Sequence, residues 1–250
     1  MTKIKDIYNF LDTVAPFDTQ EEWDNSGLIV GDMDKEVKKV LLSLDITNEV
    51  VKEAKDKGCE LIISHHPVIF SPLTHIGSDH VVYSLIKSDV SALCAHTNLD
   101  KARDIGVNAC LAKALGLNNT RLYPDEFLAV GELESAMSSD EFANYVKDKL
   151  STNGVKYTSG TDIKTVGVSS GGGGDAVYLK DKFHFDALVT GELKHHLLLF
   201  SKEHNFTAVE AGHFETEDVV INPLINTLNS AFSDVQFEKS QGLCKFTQFC

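Results

Sequence analysis

The stretch Cys59-Glu60-Leu61-Ile62-Ile63-Ser64-His65-His66-Pro67-Val68-Ile69-Phe70 runs an apolar strand into two adjacent histidines. Pro67 prevents a helix from following directly. Neighbouring side chains on a regular strand point to opposite faces. His65 and His66 can therefore share one site only if the strand has ended at Ser64. They would then fan out of a loop, one to each of two metals. Alone, such a pair is more often structural than ligating, so its weight depends on whether other strand ends repeat the pattern.

Working outward, Val40-Leu41-Leu42-Ser43-Leu44-Asp45 reads as a buried strand. Thr47 can cap a helix that runs to Lys57, and Gly58 suits its left-handed end. On the other side, Ser78 opens a helix to about Lys87, and strand 90–95 ends at His96-Thr97-Asn98-Leu99-Asp100. Further out, a helix over 3–14 lines up Ile4, Ile7, Tyr8, Leu11 and Val14, with Thr2 as its N-cap. The loop Glu22–Asp32 holds the single tryptophan and enters a short strand. A helix over about 104–115 closes at Gly116.

Strands alternating with helices through short loops predict an α/β fold, with mostly parallel or mixed sheets flanked by helices. The polar stretch 118–126, with Pro124, marks a boundary. It divides a first lobe, 1–125, to which 205–250 pack back, from a second lobe, 126–204. The second half reads as strand 127–133, helix 139–150, and strands near 154–158, 163–169, 186–190 and 206–210. A helix to about 229 and a strand near 235–239 complete it.

The chain's 250 residues suffice for one large domain or two small ones. No run approaches the roughly 18 apolar residues of a membrane helix. The N-terminus lacks an apolar signal core. A net charge of −14 opposes binding to nucleic acid or an anionic membrane. A phosphorylated small molecule stays admissible where local cations neutralise it. The cysteines at 59, 94, 110, 244 and 250 form no Cys-x-x-Cys pair, which points to a reducing cytoplasm.

Four polar clusters come directly after apolar strands: His65-His66, His96 with Asp100, Glu192 with His195-His196, and Glu210 with His213 and Glu217. Ligands of open α/β sheets bind outside the C-terminal strand ends. His96 and Asp100, like His213 and Glu217, are four apart and share one face of a helical turn. Each pair alone reads more readily as capping or surface charge. Six of the ten histidines fall in these short segments, however, and that coincidence favours a metal site. Mixed His and carboxylate donors suit Zn, Fe or Mn, and bridging carboxylates permit two ions. The glycine run 171–174 is either an anion-cradling turn or a flexible connection. It has neither the P-loop nor the dinucleotide spacing.

Five motifs, Trp23-Asp24-Asn25-Ser26-Gly27-Leu28, Ser64-His65-His66-Pro67, His96-Thr97-Asn98-Leu99-Asp100, Thr190-Gly191-Glu192 and Gly212-His213-Phe214-x-Thr216-Glu217, stand in an order that resembles the GTP cyclohydrolase I type 2, or Nif-three-like, family. The resemblance covers about residues 4–240 and matches the minimal form without a central insertion. It implies two α/β lobes, a dinuclear metal centre in the cleft between them, and a ring-shaped homohexamer. The implied metal ligands are His65, His66, Asp100, His213 and Glu217. His96 is implied as a neighbour that orients a ligand or touches substrate, and Glu192 as a cleft residue. The implied reaction is hydrolysis of a purine nucleotide, GTP to dihydroneopterin triphosphate and formate, by a water activated at two divalent ions. His96, Glu192 and Glu210 are the candidate proton carriers. The alternative is a non-enzymatic metal-binding ring with a metal-handling or regulatory role.

Overall fold

The computed structural model describes residues 1–243, so Cys244 and Cys250 lie outside the described residues. The chain forms two compact units. Among the described residues, the first joins Met1–Ile105 to residues 221–243, and the second is the continuous stretch Gly106–Val220.

In the first unit the opening helix spans Ile4–Val14. Its start differs from expectation. The Asp6 carboxylate accepts the Lys3 backbone N–H at 2.8 Å, while the Thr2 hydroxyl donates to Asp234 at 2.7 Å. The strands are β1 (Gly27–Val30), β2 (Lys39–Ser43), β3 (Leu61–Ser64) and β4 (Ser91–Cys94). Thr47 accepts from the Val50 N–H, and Gly58 ends that helix at φ 69°. The next helix begins at Val81 rather than Ser78, because the His80 ring caps it by accepting from the Val82 N–H. Strands β2, β3 and β4 are parallel, and β1 closes the sheet antiparallel to β4. Both faces of this sheet are covered. Leu41, Ile62 and Ala92 pack with Val50, Val51, Ala54 and Leu85 of two helices, and the alternate residues Val40, Leu42, Leu61, Ile63 and Leu93 are equally buried. Strands buried on both faces read as continuous apolar runs, which is why these were visible in the sequence.

The second unit opens with the helix Val107–Ala114. Its strands are β5 (Asn118–Tyr123), β6 (Leu128–Met137), β7 (Lys156–Tyr157), β8 (Ile163–Ser169), β9 (Ala187–Thr190) and β10 (Thr207–Glu210). They order as β5-β6-β8-β9-β10-β7, with only β8, β9 and β10 mutually parallel. The sheet is therefore mixed. Side-chain alternation sorts its residues cleanly. Ala129, Val166, Val168, Ala187, Val189 and Val209 join Leu111, Leu115, Phe142 and Val146 in one core. Leu128, Val130, Leu188 and Ala208 join Val177, Leu193 and Leu197 in another. Ser138 and Glu141 form the capping box of the helix Ser139–Lys149.

The polar stretch expected to be a boundary is instead the edge strand β5, held by backbone pairing to β6. The division between units falls at Ile105/Gly106 and Val220/Ile221, not at 125 and 204.

From Ile221 the chain returns to the first unit as the helix Ile221–Ala231 and strand β11 (Gln236–Lys239). Strand β11 pairs parallel with β2 and completes the order β1-β4-β3-β2-β11. Among the described residues, no helix is long and apolar enough to cross a membrane. Cys59, Cys94 and Cys110 are buried. Burial pushes Cys59 and Cys110 up to about 11.

Candidate functional site

In the first unit Ser43, Ser64 and Cys94 end three parallel strands in register. The strand ends at Ser64, as the histidine doublet requires, and the chain turns out of the sheet there. The His65 and His66 rings diverge with centroids 5.0 Å apart. The His96 ring joins them at 5.1 and 5.5 Å. One nitrogen from each of the three lies within 4.8 Å of the others. Nitrogen donors on one tetrahedral Zn²⁺ stand about 3.4 Å apart, so the three would have to draw closer by side-chain rotation to share an ion. These groups can hold a metal. Asp100, on the short helix Thr97–Asp100, places Oδ1 3.6 Å from His65 Nε2.

Each imidazole is fixed through Nδ1. His65 Nδ1 meets the Ala95 carbonyl at 3.0 Å. His66 Nδ1 meets Asp45 at 2.7 Å, and His96 Nδ1 meets Asp24 at 2.8 Å. A carbonyl or carboxylate oxygen only accepts, so in the neutral ring the proton sits on Nδ1 and the lone pair on Nε2. That is the tautomer and orientation in which oxygen partners present histidine to a metal.

Asp24 is the most enclosed of these partners, with no side-chain exposure. Besides His96, it accepts from the Thr97 N–H at 3.0 Å, the Thr97 hydroxyl at 2.5 Å and the Ser26 hydroxyl at 3.1 Å. Burial alone would raise its pKa. The hydrogen bonds from His96 and Thr97, with the charge of His96, outweigh burial and hold the carboxyl well below the usual range.

The second unit repeats the strand-end arrangement. Ser169, Thr190 and Glu210 end β8, β9 and β10 in register. The helix His213–Glu217 starts directly after Gly212. His213 Nδ1 meets Glu192 at 2.7 Å, and His213 Nε2 meets the buried Glu217 carboxylate at 3.0 Å. The glycine run has a role other than those read from sequence. Gly171 has φ 54°, and a Cβ there would collide with Glu217 Oε1 and come 3.1 Å from His213 Nε2. A Cβ on Gly191 would lie 2.5 Å from the Gly171 carbonyl and 2.8 Å from His213 Cα. These glycines form the wall of a cradle that any side chain would fill. The turn itself is tied down by the Gly171 N–H donating to Thr216, and by the Ser170 N–H donating to buried Asn108.

The structure thus brings His65, His66, His96 and Asp100 together within one unit, and Glu192, His213 and Glu217 within the other. It leaves Glu210 elsewhere engaged, accepting from the Leu193 N–H and pairing with Lys156 at 2.7 Å. His195 and His196 open a helix on its exposed side. Asp24, Asp45 and Asn108 were missed as supporting residues. Asp24 stood inside a quoted motif, but its partner His96 is 72 positions away and no local pattern links them.

The Duf34/NIF3 (NGG1p interacting factor 3) family model matches residues 2–242. A Clostridium perfringens protein named GTP cyclohydrolase 1 type 2 homolog is 34% identical over 249 residues, covering 94% of this chain and 95% of that protein. The crystal structure of a Staphylococcus aureus protein superposes with a TM-score of 0.91 at 29% identity, covering 100% of this chain and 99% of that one. A Bacillus cereus protein related to NIF3 shares the fold, with a TM-score of 0.93 at 22% identity over 100% of this chain and 99% of that one. With a family model matching almost end to end and a relative of the same length, the chain belongs to the Duf34/NIF3 family.

Proposed function

We propose that this protein is a metal-dependent hydrolase of a purine nucleotide, with GTP as the first substrate to test. The residues that would hold two divalent ions are His65, His66, Asp100, His213 and Glu217. One observation carries the reading: His65 and His66 are each fixed through Nδ1 to an oxygen acceptor, with the lone pair on Nε2. The glycine-walled His213–Glu217 pair adds the second donor set. The names of the relatives support the choice of substrate.

Divalent ions here would supply Lewis-acid charge and lower the pKa of water toward roughly 7. The chain's own contribution is orientation and proton transfer. A net charge of −14 repels a nucleotide triphosphate at long range, so local positive charge is essential to bind it. Of the three candidate proton carriers, Glu210 is committed to Lys156 and the Leu193 N–H. Glu192 is committed to His213. That leaves His96, held by Asp24 in one tautomer, as the residue to move a proton between water and substrate.

The commitment of Glu192 and Glu210 also favours a second reading, a metal-handling ring protein without turnover. Metal analysis of the purified protein, paired with a GTP turnover assay on wild type and His65→Ala, decides between them. About two ions per chain with GTP consumption, both reduced in His65→Ala, is the expected result. Two ions without turnover of any nucleotide ends the hydrolase reading. No metal after growth with Zn²⁺, Fe²⁺ and Mn²⁺ ends both.

A further inference from the structure

Within Trp23–Gly27, adjacent residues face opposite ways. Asp24 turns inward to His96. Trp23 stays in solvent, 57% exposed, although it is the chain's only tryptophan and carries the largest apolar surface of any side chain. Phe70, three residues past Pro67, is 53% exposed. The two rings lie 5.7 Å apart at 34°. The His96 ring meets both edgewise, 6.0 Å from Trp23 and 6.2 Å from Phe70. The arrangement is built rather than incidental. The Asn25 side-chain amide donates to the Ile69 carbonyl at 2.7 Å, which ties the backbone beside Phe70 to a residue two positions past Trp23. The Asp24 network anchors the residue directly after Trp23. Two exposed aromatic faces are thus held in fixed relation next to the three-imidazole cluster.

We propose that Trp23 and Phe70 form a stacking platform for the planar heteroaromatic ring of the substrate, with His96 at the ring's edge. A flat π-system gains from both faces, whereas a bare phosphate gains from neither. The nitrogen and oxygen atoms on the edge of a heteroaromatic ring are suitable hydrogen-bond partners for His96. Naming that ring a purine rests on the hydrolase reading above; the platform itself is tested by binding, without turnover.

The single tryptophan makes the test direct, because all indole fluorescence of the full-length, metal-loaded protein reports on the platform. Saturable quenching by both GTP and guanosine, with none by tripolyphosphate or ribose 5-phosphate, is expected. Phe70→Ala should weaken GTP binding about tenfold by the same signal. Trp23→Leu, measured by equilibrium dialysis with labelled GTP, should weaken it roughly ten- to a hundredfold, with tripolyphosphate binding and metal content unchanged. Equal quenching by tripolyphosphate, or wild-type GTP affinity in both variants, overturns the platform. So does tryptophan emission that shifts with protein concentration in the absence of nucleotide, which would make the pair a contact between copies. The wild-type titration stands even if a variant fails to fold. Guanosine-dependent quenching without turnover of any nucleotide supports the platform while ending the hydrolase reading. Turnover that is indifferent to both substitutions ends the platform alone.

Discussion

In the first unit Ser43, Ser64 and Cys94 finish three parallel strands in register, and in the second Ser169, Thr190 and Glu210 do the same. The residues just beyond those strand ends differ between the units. The first unit places three imidazoles close together and fixes each through an oxygen partner. The second has one imidazole and one buried carboxylate, with room made for them by residues that lack side chains. The first unit's cluster is therefore specified by hydrogen bonding and the second unit's by space. The two should fail differently when altered, and that gives the comparison its tests.

The largest effect is expected at Gly191. A Cβ there meets backbone on both sides, the Gly171 carbonyl and His213 Cα, and backbone cannot rotate away as a side-chain tip can. Gly191→Ala should cost about 3 kcal/mol, at the upper end of ordinary overpacking, and, on the proposed reading, remove metal binding by His213 and Glu217. Thermal melting and metal analysis measure both losses. A variant that melts like wild type would show that space is not what specifies the second unit's cluster.

Next comes Asp24→Asn. The amide keeps the shape but presents a donor where His96, Thr97 and Ser26 all donate. A loss of about 2–3 kcal/mol is expected from removing hydrogen bonds to a buried charge. If hydrogen bonding specifies the first unit's cluster, the His96 ring should also change tautomer or orientation, visible in its imidazole NMR signals. Unchanged His96 signals would break that side of the comparison.

A smaller effect separates two equivalent partners. Asp45 orients His66, and Glu192 orients His213, each at 2.7 Å. Loss of such a partner typically weakens metal affinity ten- to a hundredfold. The Asp45 side chain is 38% exposed and that of Glu192 64%. Water replaces the more exposed partner more readily, so Asp45→Asn should weaken metal binding more than Glu192→Gln. Chelator competition measures both, and the reverse order would mean that exposure does not govern the partner's contribution.

Burial also decided how much of the fold and site was legible in the sequence. Strands β2, β3, β8, β9 and β10 are buried on both faces and stood out as apolar runs. Thr47 and Gly58 bounded their helix by local chemistry that a sequence displays. Strand β5, Asn-Asn-Thr-Arg-Leu-Tyr, is mostly exposed and held by backbone pairing with β6, so its side chains carry no strand signal and it read as a linker. The histidines were conspicuous because rare residues clustered at strand ends. The purposes of Gly171 and Gly191 were not, since what each glycine avoids is 20 to 46 positions away. His80 as a cap was hidden because imidazole is not among the usual N-cap residues.

The smallest effect tests a second asymmetry between the units. The second unit is one continuous stretch, whereas the first must recruit the chain from Ile221 onward. Glu53 fastens that return: its carboxylate pairs with Lys57 at 2.8 Å and accepts from the Ser240 hydroxyl and the Gln241 and Gly242 N–H groups. Burial would raise its pKa, but these partners lower it from 4.5 to about 2. A depressed carboxyl stabilises the fold above its unfolded pKa, so the contribution is full above about pH 4.5 and is lost as pH falls from there toward 2. The interval corresponds to at most about 3 kcal/mol. Gln at this position still accepts some of the same hydrogen bonds, so Glu53→Gln should cost about 1–2 kcal/mol near neutral pH. Denaturant melts followed across pH 2–7 should then show a shallower acid slope in Glu53→Gln than in wild type. Hydrogen exchange should locate the weakening at β11 and its partner β2, with β8 to β10 unaffected. An identical slope in both proteins would mean that the returning segment is held by strand pairing and packing alone.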